Sequence, residues 1–406
     1  MATDAQGPAM HRAASDRGVW CMSARTGDSL PSSTTLPEVP TLPPPPGRSG
    51  RLAHLDALRG IAAFLVMIQH SVTIIAEHPQ APGWFRFAAQ AFNSEYYSPG
   101  RTGVVAFFLI SGFVVPFSLK QPHALRGFAI SRFFRLYPAY WASLLVAVLV
   151  LPTLDIKTFS TTQVLANATM VQFVLGQSNV IGAYWTLFIE LVFYVMCAAW
   201  FVLGVLRSAR FQFVAILGLL AIALLGATIR FINPSAPVPV GYVNFIAAMH
   251  VGTLARLAWL EGDTLARKLL PVAVGCALVG AIAISWLAYS RSPEVDPWIS
   301  GITGLYVGYA LFFYTLYRQA FVTRLTLFLG GISFSFYLFH GLTLSVARSI
   351  AYTWPWEIGG PFIPLFCLCT AIPLATFVFN WIELPSVRLG HALARATRKQ
   401  AVGTAA

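Results

Sequence analysis

Apolar runs of about 17–23 residues repeat along this chain, each long enough to cross a hydrocarbon core of about 30 Å as a helix. They lie near 57–75, 102–119, 137–151, 184–206, 211–229, 242–260, 269–288, 301–317, 325–346 and 361–382. The pattern predicts an all-α integral membrane protein with about ten transmembrane helices, the third of them short. Charge supports it: charged residues are 10% and hydrophobic residues 57% of 406, where a soluble globular chain carries about 25% charged residues. The lipid bilayer is therefore the first expected partner.

The ends read differently. Residues 1–50 are poor in large apolar side chains, rich in Pro, Ser and Thr, and close on TLPPPPGRSG. Such a segment cannot bury a core, so it is expected to be a disordered tail. It has no apolar stretch that reads as a signal peptide. Residues 51–388 form the transmembrane domain, and 389–406 a short basic tail. Segment 152–183 is too polar to span, and its VLANATMVQFVLG reads as an interfacial or re-entrant helix.

Orientation follows from the basic residues. With the N-terminus inside, all of the 27 Lys and Arg except Arg86, Arg101, Lys157, Arg230, Arg291 and Arg348 fall in inside segments. That bias predicts both termini in the cytoplasm and a cell (inner or plasma) membrane location. The net charge of +12 does not imply nucleic acid, because the basic residues sit in short clusters between apolar runs. No internal repeat is visible, which argues against a transporter built from inverted halves. Cys21, Cys197, Cys276, Cys367 and Cys369 show neither metal spacing nor a disulfide framework. No metal is expected.

Ionisable residues inside apolar runs are expensive and mark candidate sites. In RLAHLDALRGIAAFLVMIQHS, Arg59 and His70 are eleven residues apart. On a helix that places them on one face, about 16 Å apart along the axis. Counting from span ends puts His70, Glu190 and His340 at related depths in the outer half of the membrane. A shared polar cavity explains all three; the alternative is a separate hydrogen-bonded neighbour for each. Arg132 and Arg135, three apart, share a helical face. Two guanidinium forks suit a polyanionic phosphate group, and topogenic anchoring is the competing explanation. Asp56 and Arg59 have the spacing of a pair. Ser111-Gly112 permits close helix approach. His250 reads as a hydrogen-bonded core residue.

Taken together, these motifs resemble the acyltransferase-3 family of integral-membrane acyltransferases. LDALRGIAAFLVMIQH resembles the family's first helix, with Arg59, ten residues and His70. FFLISGF at 107–113 is similar to its second-helix motif. Arg132-Phe-Phe-Arg135 followed by LYPAY resembles its R-x-x-R and proline-aromatic signature. YWTLFIELVFY resembles its W-[ST]-L-x-x-E pattern and points to Glu190. GGISFSFYLFHG, with Ser333, Tyr337 and His340, and the closing Glu383-Leu-Pro385 also fit.

The resemblance implies a membrane-embedded O-acyltransferase in a stand-alone form, similar to exopolysaccharide O-acetyltransferases. The implied donor is acyl-CoA, most often acetyl-CoA, with Arg59, Arg132 and Arg135 as candidate donor-binding residues. The implied acceptor is a hydroxyl of a surface polysaccharide, oligosaccharide or other glycan-like molecule. His70, Glu190 and His340 are the candidate catalytic residues. His70 is expected to act as a general base on the hydroxyl or as a transient acyl carrier. Glu190 is expected to orient a histidine, and His340 or Ser333 to position the acceptor or polarise the carbonyl. The competing class is a transporter or flippase for a glycolipid or small metabolite.

Overall fold

In a computed structural model, residues 52–119, 124–291 and 297–403 are described. The Pro-rich tail expected over 1–50 lies outside them. The described residues are helices and connecting turns, without a strand, as lipid requires of segments that must satisfy their own backbone hydrogen bonds. In chain order the helices are α1 (Ala53–Ala76), α2 (Gly83–Gln90), α3 (Pro99–Val114), α4 (Ala124–Thr153) and α5 (Thr161–Ala168). They continue as α6 (Trp185–Val202), α7 (Ala209–Ile232), α8 (Val240–Trp259) and α9 (Thr264–Tyr289). The last are α10 (Trp298–Arg318), α11 (Arg324–Ala351), α12 (Trp356–Val378) and α13 (Leu384–Gly403).

All ten predicted runs are helical. Among the described residues, nine helical stretches are long and apolar enough to cross a membrane, and the chain is a multi-pass membrane protein. The remaining run, 242–260 in α8, is less apolar and is covered by protein: 13 of the 20 residues of α8 are buried. His250 on α8 bonds Gln212 at 2.6 Å, and Gln212 donates in turn to the Leu206 carbonyl. It is a core histidine, as its sequence context implies.

Two expectations change. The third span is not short: α4 runs for 30 residues and passes through Pro138 without ending. Arg126, Arg132 and Arg135 lowered the apparent hydropathy of its first turns. Arg132 and Arg135 reach protein rather than lipid, so the helix continues where composition suggested a stop. Segment 152–183 does not carry one helix over VLANATMVQFVLG: α5 ends at Ala168 and turns follow, pinned by Tyr140 Oη donating to the Asn167 carbonyl at 2.6 Å. The basic tail beyond residue 389 continues as part of α13.

Helix α3 is the central strut, with 12 of its 16 residues buried. Its neighbours approach through glycines. A Cβ on Gly112 would fall 1.8 Å from the Met249 carbonyl oxygen of α8, and one on Gly252 would fall 2.1 Å from that of Leu109. Thr253 Oγ1 donates to the Gly112 carbonyl across the same seam. The Ser111-Gly112 pair therefore serves close packing. Helices α1 and α11 meet similarly: a Cβ on Gly330 would lie 2.0 Å from the Asp56 carbonyl oxygen, and one on Gly60 would lie 2.7 Å from the Gly330 nitrogen.

Backbone cannot yield as a flexible side chain does, so these seams are intolerant of a methyl group. Gly112→Ala is expected to destabilise the protein by about 3 kcal/mol or more. Gly218→Ala, where nothing lies within 4 Å, is expected to be neutral or slightly stabilising. Thermal unfolding of both variants in detergent checks the contrast.

Candidate functional site

Helices α1 and α11 run parallel and in register from their glycine contact. Ten residues beyond Gly60 stands His70, and ten residues beyond Gly330 stands His340, about 15 Å further along each axis. The two imidazoles stack there, with ring centroids 5.5 Å apart and an interplanar angle of 27°. His340 is 1% exposed. Its Nδ1 lies 2.7 Å from the Tyr337 carbonyl, which can only accept, so Nδ1 carries the hydrogen in this arrangement. Its Nε2 is buried without a hydrogen-bond partner. His70 differs: it is exposed into a cavity.

That cavity, the large cavity, has a volume of about 910 Å³. It gathers the far ends of helices, those opposite the α1 N-terminus, together with the turn at 234–239. Gln69, beside His70, ties α1 to the start of α3, accepting from Ser98 Oγ at 2.7 Å and from the Gly100 amide at 2.6 Å. This fixes the rotation of α1 where His70 leaves it.

A second, smaller cavity, about 120 Å³, opens among residues nearer the α1 N-terminus. Arg59, Arg132, Arg135, Glu190, Tyr194 and Ser333 all line it. Arg59 is paired with Asp56 at 3.0 Å. Arg135 is paired with the buried Glu383, whose other oxygen accepts from Ser335 Oγ at 2.6 Å. Arg132 has no carboxylate. Its guanidinium rests 5.6 Å from the rings of both Phe128 and Tyr194, and its Nε has no hydrogen-bond partner. The arginines of the R-x-x-R motif thus differ: one is held by an ion pair, the other rests on aromatic faces without a carboxylate.

The cavities adjoin. Val104 and Tyr337 line both. Tyr337 Oη is 3.0 Å from Thr186 Oγ1, and both hydroxyls reach the Ala183 carbonyl. Phe107 meets the Tyr337 ring edge-on. The helical face shared by Arg59 and His70 therefore passes from one cavity to the other.

The structure brings His70 and His340 together, and Arg59, Arg132, Arg135 and Glu190 together, but it separates Glu190 from the histidines. Glu190 accepts from Tyr194 Oη at 2.6 Å and contacts neither imidazole among the described residues. Counting from span ends misplaced it because α6 has 18 residues where α1 has 24 and α11 has 28. Helices of unequal length do not share a common zero of depth. Sequence reasoning placed Glu383 in a closing motif but did not see that it anchors Arg135. It missed Tyr337 as the shared wall, which only the packing of α11 against α6 and α3 creates. Among the described residues no group of His, Cys, Asp and Glu is arranged to hold a metal ion.

A family model for an acyltransferase domain matches residues 52–381. Nodulation protein 10 of Rhizobium leguminosarum bv. viciae is 27% identical over 383 residues, covering 85% of this chain and 96% of that protein. No solved structure matches the chain.

Glu383 is 1% exposed, and removing one partner of a buried pair leaves an uncompensated charge. Glu383→Leu is expected to destabilise by about 3–5 kcal/mol, whereas Glu383→Leu with Arg135→Met recovers most of the loss. Unfolding of the single and double variants in detergent measures this coupling.

Proposed function

We propose a reaction for this chain, which belongs to the acyltransferase-3 family of acyltransferase domains: an acyl group, most simply acetyl, passes from acyl-CoA to a hydroxyl of a glycan-like acceptor. The observation that carries this reading is the pair of adjoining cavities, one lined by arginines and the other by an exposed histidine. Family membership favours transfer over the transport alternative.

The donor's phosphates are polyanionic, and a guanidinium fork holds them bidentately. Arg132, lacking a carboxylate partner, is the residue most able to turn to them. Arg135, tied to Glu383, shapes the site. Glu190 holds Tyr194 and offsets the positive charge of the cluster when no donor is bound. The slender pantetheine arm then leads the thioester past Tyr337 toward His70.

At the far side the acceptor hydroxyl meets His70. A sugar hydroxyl is a poor nucleophile until its proton is removed, and a neutral imidazole is suited to remove it. The oxygen attacks the thioester carbonyl carbon, the C–S bond breaks, and the departing CoA thiolate takes the proton back from the His70 imidazolium. His340 backs the His70 ring. Its Nδ1–H is given to the Tyr337 carbonyl, so His340 acts as a positioning residue that holds His70 against the opening.

Two substitutions separate the two cavities. His70→Ala is expected to lower kcat for acetyl transfer by about 10²–10⁴-fold, the usual worth of a positioned base, with normal insertion. Arg132→Gln is expected to raise the KM for acyl-CoA with a smaller change in kcat. Label transfer from acetyl-CoA to glycan, with the purified protein in lipid, measures both. Near-normal turnover in His70→Ala would remove the base from this scheme.

The basic-residue asymmetry puts the arginine cavity toward the cytoplasm and the large cavity toward the outside. In sealed, oriented vesicles, acyl-CoA is expected to act only from the cytoplasmic face, and the ester to appear on acceptor at the other. Equal activity with both substrates confined to the cytoplasmic face would favour modification of a precursor before export.

A further inference from the structure

The large cavity has a chemistry of its own beyond His70. Phe173, Trp185, Tyr242 and Phe245 make one continuous aromatic wall. Trp185 and Tyr242 stack nearly parallel, 5.5 Å apart at 6°, with Phe173 against Tyr242 and Phe245 against Trp185. Sugar rings lay their C–H faces on aromatic faces, because the faces of an aromatic ring carry negative charge and its edges positive charge. At about 910 Å³, the cavity lies at the upper end of the 300–1,000 Å³ or so of a ligand pocket and has room for more than one ring.

Arg230, in the last turn of α7, also lines this cavity. Its guanidinium lies 4.8 Å from the Tyr289 ring centroid, and its Nε is buried without a hydrogen-bond partner. No Asp, Glu or Lys lines the cavity among the described residues. A guanidinium that faces a cavity without a carboxylate is a ready partner for an anionic ligand. Arg101 lines the cavity too, laid over Gly301 and Gly304. The turn beside it, Asn233–Pro239, is stiffened by Pro234, Pro237 and Pro239, so the cavity wall there is preorganised rather than adaptable.

We propose that the acceptor is an anionic saccharide, its ring packed on the Trp185–Tyr242 wall and its carboxylate or phosphate read by Arg230. This rests on the acyl-transfer reading for the identity of the cavity, and it adds the class of acceptor. A planar, two-oxygen anion matches the guanidinium fork, and a neutral saccharide leaves that fork unpaired. Arg230 is a specificity residue; it lies outside the proton transfer at His70.

The test is equilibrium binding to the full chain in nanodiscs of zwitterionic lipid. The probes are fluorescent oligosaccharides of equal length and linkage: a hexuronate, a phosphorylated hexose and the neutral hexose. Wild type is expected to bind at least one anionic probe tenfold or more tighter than the neutral one, with the margin shrinking as salt rises. Arg230→Gln is expected to abolish the margin and Arg230→Lys to keep part of it. Which anionic probe binds tighter distinguishes carboxylate from phosphate recognition. Equal binding of charged and neutral probes, no binding of either, or a margin that survives in Arg230→Gln overturns the inference. Acetyl-CoA turnover by the same samples reports separately on the acyl-transfer reading. Trp185→Ala lowers affinity for all probes alike if the wall packs sugar rings, and a loss confined to one probe contradicts that part.

Discussion

The contact on which the site depends is the backbone approach of α1 to α11 at Asp56, Gly60 and Gly330. No side chain separates the two helices there, so their relative height and rotation are set by main-chain atoms. Because the helices run parallel, the register made at the glycines is carried about 15 Å to the place where His70 stacks on His340. A displacement of one residue would rotate one imidazole by about 100° and move it about 1.5 Å along the axis. The strut α3 then closes the arrangement, meeting α1 at Gly103, where a Cβ would lie 2.4 Å from the Ala62 carbonyl oxygen, and meeting α8 at Gly112. Association of helices in lipid relies on such close contacts, because lipid tails offer apolar surface of the same kind.

Charge within the bundle is handled in three ways, and each has a consequence for the site. Arg135 is neutralised by Glu383, which Ser335 also bonds; this pair gives structure rather than chemistry. Arg59 is paired locally with Asp56 yet still lines the arginine cavity. Arg132 and Arg230 are held on aromatic rings without a carboxylate. Aromatic faces stabilise a cation by less than an ion pair does and leave its hydrogen-bond donors available. The two arginines so held stand in different cavities, one on each side of Tyr337, and each is suited to an anionic group on a different substrate.

The amino-acid order by itself determined the helices, because about twenty apolar residues in succession have few other solutions in lipid. It also determined which polar residues are out of place in that apolar background, and these include Arg59, His70, Arg132, Arg135 and His340. It placed Arg59 and His70 on one face through helical period alone. What it did not contain was depth and partnership. Glu190 was grouped with the histidines because residues were counted from span ends, but α6 is shorter than its neighbours and its carboxylate joins the arginines instead. Arg132 and Arg135 are equivalent in sequence and are separated only by Glu383, which arrives from a helix 248 residues further along the chain. Tyr337 and Trp185 lie within motifs that do not state their cavity roles, and Arg230 and the rest of the aromatic wall have no motif that distinguishes them from ordinary membrane residues. Tertiary structure decided their roles, because a cavity is made by the surfaces that fail to touch, and that depends on how several helices pack at once.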